Sequence, residues 1–277
     1  MKTFSERAAL LQRARRALRK AYGKPVRDEA EDIAPQLLRF ILSEGSTRAA
    51  VDDAVRRIAE AFVDLNELRV SLAREIAEVI PKIPNAQAKA ARLIKLFNAI
   101  FLRHNTMDWD FVRSMGVREL RQYFENVDGG DAVLGAAAVL LLSSGHAVPA
   151  DTDVHRVILR LELVGPDEEI AAVQGFLERA LKSDQGFETW ALVRRLAEAR
   201  CLAKAPLCGR CTLKAMCPTG AGRLSARKEA AKARRAKAVR KKAAPARKAA
   251  AKKSGATRKA RKKSSGKPAA RKKLRST

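Results

Sequence analysis

Four cysteines lie close together in one short segment of the chain. They are the only cysteines in the sequence, and six, two and five residues separate them: Cys201, Cys208, Cys211 and Cys217. Thiolates are soft ligands that bind zinc or an iron-sulfur cluster, and four within one loop can surround a single centre. The spacing leaves both metals open, because zinc sites more often pair two close-spaced knuckles across a longer insert. Four unconnected buried thiols are the structural alternative.

An aspartate just before an apolar-periodic segment is the second candidate for chemistry. Asp151 begins the run Asp-Thr-Asp-Val-His-Arg at residues 151–156. A carboxylate at the start of a helix commonly accepts hydrogen bonds from the free N–H groups of the first turn. Taken alone, the pattern therefore favours an N-cap over a catalytic group.

Positive charge is concentrated at the C-terminal end. The 277 residues carry a formal charge of +27, of which residues 221–277 supply +23 from 24 Lys or Arg and the single acid Glu229, so the rest carries +4. This segment is rich in Ala, Lys and Arg and lacks the periodic Leu, Ile or Phe of a core, so we expect a disordered arm. Its charge density predicts a nucleic-acid partner.

Apolar residues recur with helical spacing through most of residues 1–220. No segment shows sustained alternation, so the sequence predicts an all-α protein. The periodic segments are 11–22, 51–62, 65–79, 93–100, 154–161, 170–181 and 189–200. Turn-forming residues predict breaks at 44–47, 81–85, 128–131 and 165–166.

The sequence argues against a membrane protein and against a secreted one. No stretch approaches the ~18 consecutive apolar residues of a membrane span. The N-terminal residues lack the uninterrupted apolar core of a secretion signal. We therefore expect a cytoplasmic protein, in which clustered cysteines bind a metal rather than form disulfides.

The segment 201–218 resembles the loop that binds a [4Fe-4S] cluster in the endonuclease III family of helix-hairpin-helix DNA glycosylases. The likeness includes Pro206 before the second cysteine and the helix ahead of the first. It implies that all four cysteines bind the cluster, with zinc as the alternative. It also implies that the loop presents positive charge to DNA, supplied here by Lys204, Arg210 and Lys214.

The stretch 151–156 is similar to the same family's catalytic aspartate, which is followed by Thr and then by an Arg that enters a helix. Asp151 matches the catalytic position and lies about 50 residues before the cysteine loop, as in the family. The resemblance implies cleavage of an N-glycosidic bond, in which a fixed carboxylate stabilises the oxocarbenium character of the sugar. The target base is first flipped out of a kinked duplex.

The family's hairpin, a Leu-Pro-Gly-Val-Gly-x-Lys-Thr type run, falls on residues 127–134. Gly129 and Gly130 are kept, and in such hairpins glycine lets backbone N–H groups approach a DNA phosphate. Asp128 and Asp131 would repel that phosphate. A plain glycine-rich turn between helices is therefore the alternative to a phosphate clamp.

Val133 occupies the position of the family's Lys nucleophile, and no Lys occurs between Lys95 and Lys182. Without that amine no Schiff base can form there. The resemblance therefore implies a monofunctional glycosylase without AP-lyase activity. Such an enzyme activates water instead, as its adenine-mismatch relatives do.

Two more family features are replaced. Residues 41–48 resemble a Leu-Leu-Ser-x-Gln-x-Thr-Asp run, but Gly45 stands where the family has the Gln that fills the gap left by the flipped base. In residues 83–90, Asn85 lies at or near the place of the apolar wedge that enters DNA. Lys89, at the start of the following helix, is assigned to DNA.

The resemblance and the helix pattern together predict two domains and a tail. The N-terminal helix of residues 1–33 joins residues 147–220 in a cluster domain that carries Asp151 and the cysteines. Residues 34–146 form a six-helix barrel domain with the degenerate hairpin. Residues 221–277 form the disordered basic tail.

The first function predicted is base excision repair by a monomeric, cytoplasmic and nucleoid-associated DNA glycosylase that acts on double-stranded DNA. The alternative is a catalytically inactive DNA-binding protein on a glycosylase scaffold, with a tail like that of linker histones. A zinc-stabilised helical module unrelated to repair is the third interpretation.

Overall fold

The computed structural model describes residues 2–27 and 32–237, and every regular element in that part of the chain is helical. The predicted all-α class is confirmed. Residues 218–237 are helical, and the preceding α-helices are α1 (Phe4–Tyr22), α2 (Ile33–Ser43), α3 (Arg48–Ala61), α4 (Leu65–Val70), α5 (Ala73–Val79), α6 (Ala86–His104), α7 (Asp110–Ser114), α8 (Val117–Asn126), α9 (Ala132–Leu142), α10 (Thr152–Arg160), α11 (Ile170–Ala180) and α12 (Gly186–Ala199). Single 3-10 turns span Ser183–Gln185 and Cys208–Arg210.

The compact unit that ends at Gly222 contains two hydrophobic cores. The larger core is enclosed by α2 to α9, with Phe97 and Phe124 among its fully buried side chains. The smaller core joins α1 to α10, α11 and α12 and includes Leu11 and Ile158. Asp153, at the start of α10, accepts the N–H of Gly45 just after α2, so the polar side chains that begin α10 lie where the two groups of helices meet.

Six helices were expected in residues 34–146. The structure has eight there, and three of these eight are only five to seven residues long. The central helix is α6. The apolar stripe predicted for α6 is fully buried, and α6 packs against α2, α4 and α5. The stripe consists of Leu93, Leu96, Phe97 and Ile100.

The periodic segment 65–79, predicted as one helix, is split into α4 and α5. Ser71 ends α4, and its hydroxyl donates to the Glu67 carbonyl at 2.7 Å. The Glu75 carboxylate then accepts the Leu72 N–H at 3.0 Å, which starts α5. These capping bonds interrupt the helix without interrupting the apolar period.

Residues 223–237, the described part of a second unit, are helical and almost entirely exposed. The sequence predicts a disordered arm from residue 221, so this helix departs from that expectation. Ala, Lys and Arg are good helix formers, which accounts for a helix with no buried face. Residues 238–277, the rest of the predicted arm, lie outside the described residues.

Within residues 2–27 and 32–237, no helix is long and apolar enough to cross a membrane.

Candidate catalytic and metal sites

Asp151 is the N-cap of α10. Its Oδ1 atom accepts a hydrogen bond from the Val154 N–H at 2.9 Å, and only 5% of the residue is exposed. This bond satisfies one free donor of the first turn and places the carboxylate at the positive end of the helix dipole. The capping interpretation and the catalytic one are therefore compatible at this residue.

Arg194 of α12 binds the other oxygen of Asp151. Its Nη1 atom pairs with Asp151 Oδ2, and its Nη2 atom donates to the Ser43 carbonyl, 2.6 Å away at the end of α2. The guanidinium carbon lies 5.7 Å from the centroid of the Trp190 ring. One largely buried cation thus connects α10, α12 and the C-terminus of α2, where the helix dipole favours positive charge.

Asp153 connects α10 to the loop after α2. Its Oδ2 atom accepts the Gly45 N–H at 2.9 Å, and its Oδ1 atom pairs with Arg156 Nη1 at 2.6 Å. Gly45 has a φ of 66°, which glycine adopts at little cost. Where the family has a Gln side chain, this chain therefore has a backbone contact with α10.

Lys89 of α6 is buried and caps the C-terminus of α2. Its ammonium donates to the carbonyls of Leu42 at 2.9 Å and Glu44 at 2.5 Å. Burial lowers the pKa of Lys89 to about 8, and the nearby Glu44 carboxylate partly offsets this by raising it. Because 8% of the residue is exposed and its ammonium is bound by the protein, this geometry favours a structural role over a DNA contact.

The charges around Asp151 oppose one another. Burial raises the pKa of Asp151, and the Arg194 guanidinium is the main influence that lowers it. Asp153 and Glu44 raise it further. Lys89 lies close enough for its own pKa to be affected by the Asp151 charge. The junction is therefore a dense, mixed-charge site rather than a cluster of one sign.

The connection between α8 and α9 is a tight turn at residues 127–131. Gly129 has a φ of 81°, and a Cβ there would lie 2.8 Å from the Arg92 carbonyl oxygen on α6. A Cβ on Gly130 would clash with the Phe124 carbonyl oxygen. The Gly130 N–H donates to a carbonyl of the same turn at 2.7 Å. Packing alone therefore requires both glycines.

The acidic side chains of the hairpin differ in their surroundings. Asp131 is the N-cap of α9 and accepts the Leu134 N–H at 2.7 Å. Its Oδ2 atom pairs with Arg92 Nη2 at 2.7 Å, and Arg92 Nε donates to the Gly129 carbonyl at 2.8 Å. Asp128 is exposed. The hairpin turn thus carries two carboxylates, of which that of Asp131 is paired with an arginine.

The positions of the family's Lys nucleophile and apolar wedge are both altered. Val133 is half-buried in the first turn of α9 and packs against the larger core, so no amine stands at that position. Asn85 is exposed at the start of α6 with a φ of 54°, which Asn adopts more readily than most residues.

The four cysteines follow α12 at the edge of the smaller core. All four are partly buried, and Cys201, Cys211 and Cys217 pack against that core. The Leu213 N–H donates to Cys211 Sγ at 3.4 Å. The Gly220 N–H donates to Cys217 Sγ at 3.3 Å. Hydrogen bonds of this kind stabilise thiolates that bind a metal group.

Two arginines of α10 bind the start of the cysteine loop. Arg160 Nη1 donates to Cys201 Sγ at 3.3 Å, and the same guanidinium donates to the Leu202 carbonyl at 2.8 Å. Arg156 Nε donates to the Cys201 carbonyl at 2.9 Å. Helix α10 therefore has Asp151 at its N-terminus and the cysteine loop bound near its C-terminus.

The donor chemistry fits a thiolate-bound group. Burial raises the pKa of Cys211 and of Cys217, and charge on the other thiols raises both further, so the four thiols affect one another. A cationic metal group would reverse that influence because it binds thiolates. Within the described residues, no three or more His, Cys, Asp or Glu side chains are placed to hold a single metal ion.

The three cations of this loop that are assigned to DNA are all exposed: Lys204, Arg210 and Lys214. Their contact with DNA stays a prediction.

The sequence analysis did not identify Arg194, although its position in α12 carries a signal. It lies in the buried period of α12, four residues after Trp190 and three before the buried Ala197. A cation within an apolar period indicates a buried ion pair.

Comparison with solved structures identified DNA glycosylases. A complex of endonuclease III with DNA is 20% identical, with a TM-score of 0.63 over 81% of this chain and 100% of that one. A thermostable thymine-DNA glycosylase is 16% identical, with a TM-score of 0.56 over 77% of this chain and 98% of its own. An 8-oxoguanine glycosylase/lyase from Clostridium acetobutylicum, bound to DNA, is 20% identical, with a TM-score of 0.50 over 71% of each chain.

No protein-family model and no curated protein sequence matches this chain. Likeness at this level of identity shows the fold. The chain has the helix-hairpin-helix DNA glycosylase fold, and the fold predicted from the cysteine and Asp151 motifs is confirmed.

Proposed function

We propose that this chain is a DNA glycosylase of base excision repair in which Asp151 is the catalytic carboxylate. The observation that carries the proposal is a buried carboxylate, fixed by the Val154 N–H and by Arg194, where two groups of helices meet in a glycosylase fold. Breaking an N-glycosidic bond leaves positive charge on the sugar. A preorganised anion stabilises that charge without reorganisation at the moment of reaction.

The proposed nucleophile is water. Val133 supplies no amine, and the Lys89 ammonium is committed to carbonyls at the end of α2. To form a Schiff base, this ammonium would have to lose a proton and give up its bonds to both carbonyls. Water would therefore add to the sugar as the base leaves, so the product is an abasic site in an intact strand.

Incubation of the full-length chain with a panel of damaged and mismatched duplexes, developed with and without alkali, tests this proposal. We expect cleavage of at least one duplex that requires alkali and is lost in Asp151→Asn, and the reactive lesion then identifies the substrate. Strand cleavage without alkali, or trapping of the protein on DNA by borohydride, would contradict the water route. Absence of excision from every duplex would contradict the glycosylase proposal.

The cysteine loop is proposed to bind a [4Fe-4S] cluster through Cys201, Cys208, Cys211 and Cys217. When bound, the cluster supplies a rigid link between this loop and the smaller core rather than a reacting centre. We expect anaerobically purified protein to be brown and to contain iron and acid-labile sulfide in equal amounts. Cys208→Ser should lose the visible absorption and lower the melting temperature. Stoichiometric zinc without sulfide would favour the alternative metal.

The basic segment 221–277 is proposed to bind the backbone of double-stranded DNA, as expected of a monomeric, nucleoid-associated protein. Engagement of ~10 phosphates predicts a slope near −9 for log affinity against log salt. A chain that ends at Gly222 keeps the Gly220 N–H bond to Cys217 and should have a much shallower slope. An unchanged slope would place the DNA contacts elsewhere.

A catalytically inactive DNA-binding protein is the second candidate function. One observation favours it specifically, because both oxygens of Asp151 already have protein partners. This candidate predicts salt-sensitive binding that depends on the basic segment, with no base released from any duplex. The lesion panel therefore separates the two candidates.

A further inference from the structure

The geometry points to Arg194 as a positioning residue that fixes the Asp151 carboxylate against the end of α2, an inference that rests on the glycosylase reaction proposed above. Its two terminal nitrogens bind different groups, Nη1 the carboxylate and Nη2 the Ser43 carbonyl at 2.6 Å. A guanidinium is planar and rigid, so one group that makes both contacts sets the separation between them. Asp151 is thereby held relative to both groups of helices.

The Arg194 side chain is itself held by packing. It is 13% exposed, and its guanidinium carbon lies 5.7 Å from the centroid of the Trp190 ring. Trp190 in turn stacks on Phe40 of α2, with centroids 6.1 Å apart at 29°. Exposed ion pairs contribute little because their side chains move and water screens them. Neither condition applies here, so this pair can act as a geometric constraint.

Arg194 is also the cation in direct contact with Asp151. The charged groups that face Asp151 are Asp153 from α10, Glu44 from the loop after α2, Lys89 from α6 and Arg194 from α12. The two acids and burial favour the protonated carboxyl, and Lys89 is bound to carbonyls of α2. A protonated carboxyl could not stabilise a cationic sugar. Removing Arg194 should therefore reduce the ionised fraction as well as free the side chain.

Titration of the Asp151 carboxyl carbon by NMR tests this role without relying on activity. Full-length protein labelled with ¹³C at aspartate carboxyl carbons is compared with Arg194→Gln, and the Asp151 signal is assigned by its loss in Asp151→Asn. We expect the Asp151 titration to move to higher pH in Arg194→Gln, and the acid limb of the excision profile to move with it. Arg195→Gln is the matched control, because exposed Arg195 donates to the Tyr22 carbonyl instead.

Arg194→Lys separates the effect of charge from that of geometry, and it also tests the role if the Arg194→Gln variant fails to fold. Lysine keeps the charge but not the planar fork, so the carboxyl should titrate near its wild-type pH while kcat falls about 10- to 100-fold at every pH. The role is overturned if Arg194→Gln titrates as wild type does, or if Arg194→Lys moves the titration as far as Gln. If the titration moves as expected but wild type excises no base, the positioning role stands and the glycosylase function fails.

Discussion

Two aspartates begin consecutive helices with the same local chemistry in different surroundings. Asp131 and Asp151 each accept the N–H three residues further on, and each pairs with an arginine, Arg92 or Arg194. The Asp131 side chain is 46% exposed, whereas that of Asp151 is 6% exposed. The capping motif is therefore common to both and does not identify a catalytic group. Burial distinguishes them.

The arginines differ in what they connect. Arg92 lies on α6 and ties Asp131 to the hairpin, entirely within the larger core's helices. Arg194 reaches from α12 to α2 and spans both groups of helices. A half-exposed pair is screened by water and salt, while a buried pair keeps its field. We infer that the Asp131 pair stabilises the hairpin, whereas the Asp151 pair can serve chemistry.

The largest effect should come from changing each aspartate to asparagine. Asn keeps the capping oxygen and removes the charge, so both variants should fold. We expect Asp151→Asn to lower single-turnover excision about 100- to 1,000-fold, the usual cost of losing a preorganised stabilising group. Asp131→Asn should leave excision within about threefold, as for most surface changes.

Asp131→Asn should also bind DNA slightly more tightly, because it removes a charge that repels phosphate. Equal losses of excision in the two variants would contradict the distinction drawn between the two aspartates. A large loss in Asp131→Asn alone would place the chemistry at the hairpin instead.

A glycine substitution tests whether the hairpin is retained for packing. Gly129→Ala requires a residue with a φ of 81° to place its Cβ 2.8 Å from a backbone oxygen. We expect the free energy of unfolding, measured by urea denaturation, to fall by about 2–3 kcal/mol. Gly175→Ala is the control, because nothing lies within 4 Å of a Cβ there, and it should stabilise α11 by about 0.5–1 kcal/mol.

If Gly129→Ala changes stability no more than Gly175→Ala while DNA binding weakens, the hairpin glycine serves phosphate contact rather than packing. The hairpin would then resemble the Asp151 site, as a region kept for function, and the contrast between the two regions would disappear.

Much of the fold could be predicted from the sequence because its signals are local. The apolar stripe 93–100 predicted the buried face of α6, and all four predicted breaks fall between helices. The exception is segment 65–79, where the capping bonds of Ser71 and Glu75 divide one continuous apolar period into two helices. An apolar period reports the buried face, not the points at which the backbone stops being helical.

The candidate site could be predicted only in part. Asp151 lies in a recognisable motif, but Arg194 contacts Ser43 from 151 residues away, a pairing that leaves no local spacing pattern. Lys89 lies in a motif yet is buried, because α6 packs against the end of α2. There the Lys89 ammonium, rather than water, bonds to the carbonyls that end α2. Such contacts depend on how helices meet, which residue spacing does not specify.

A smaller effect is expected from removing the Asp131 cap altogether. Asp131→Ala loses the bond to the Leu134 N–H and the pair with Arg92, which should cost about 1–2 kcal/mol of unfolding free energy. Asp131→Ser keeps a capping oxygen and should recover most of that loss. If Ser is as unstable as Ala, the Arg92 pair rather than the cap stabilises the hairpin, and the two aspartates are more alike than their exposure indicates.

The buried aspartate should also give the protein a stability that depends on pH. Burial raises the pKa of folded Asp151 above its value of 3.8 in the unfolded chain, so the folded state holds its proton to higher pH. The free energy of unfolding should therefore fall as pH rises through that window, by at most about 1.4 kcal/mol per pH unit. Asp151→Asn lacks this term, so its stability relative to wild type, measured in urea from pH 4 to 7, should increase with pH. A difference that instead decreases would mean that the Arg194 pair outweighs burial and that Asp151 is already an anion at low pH.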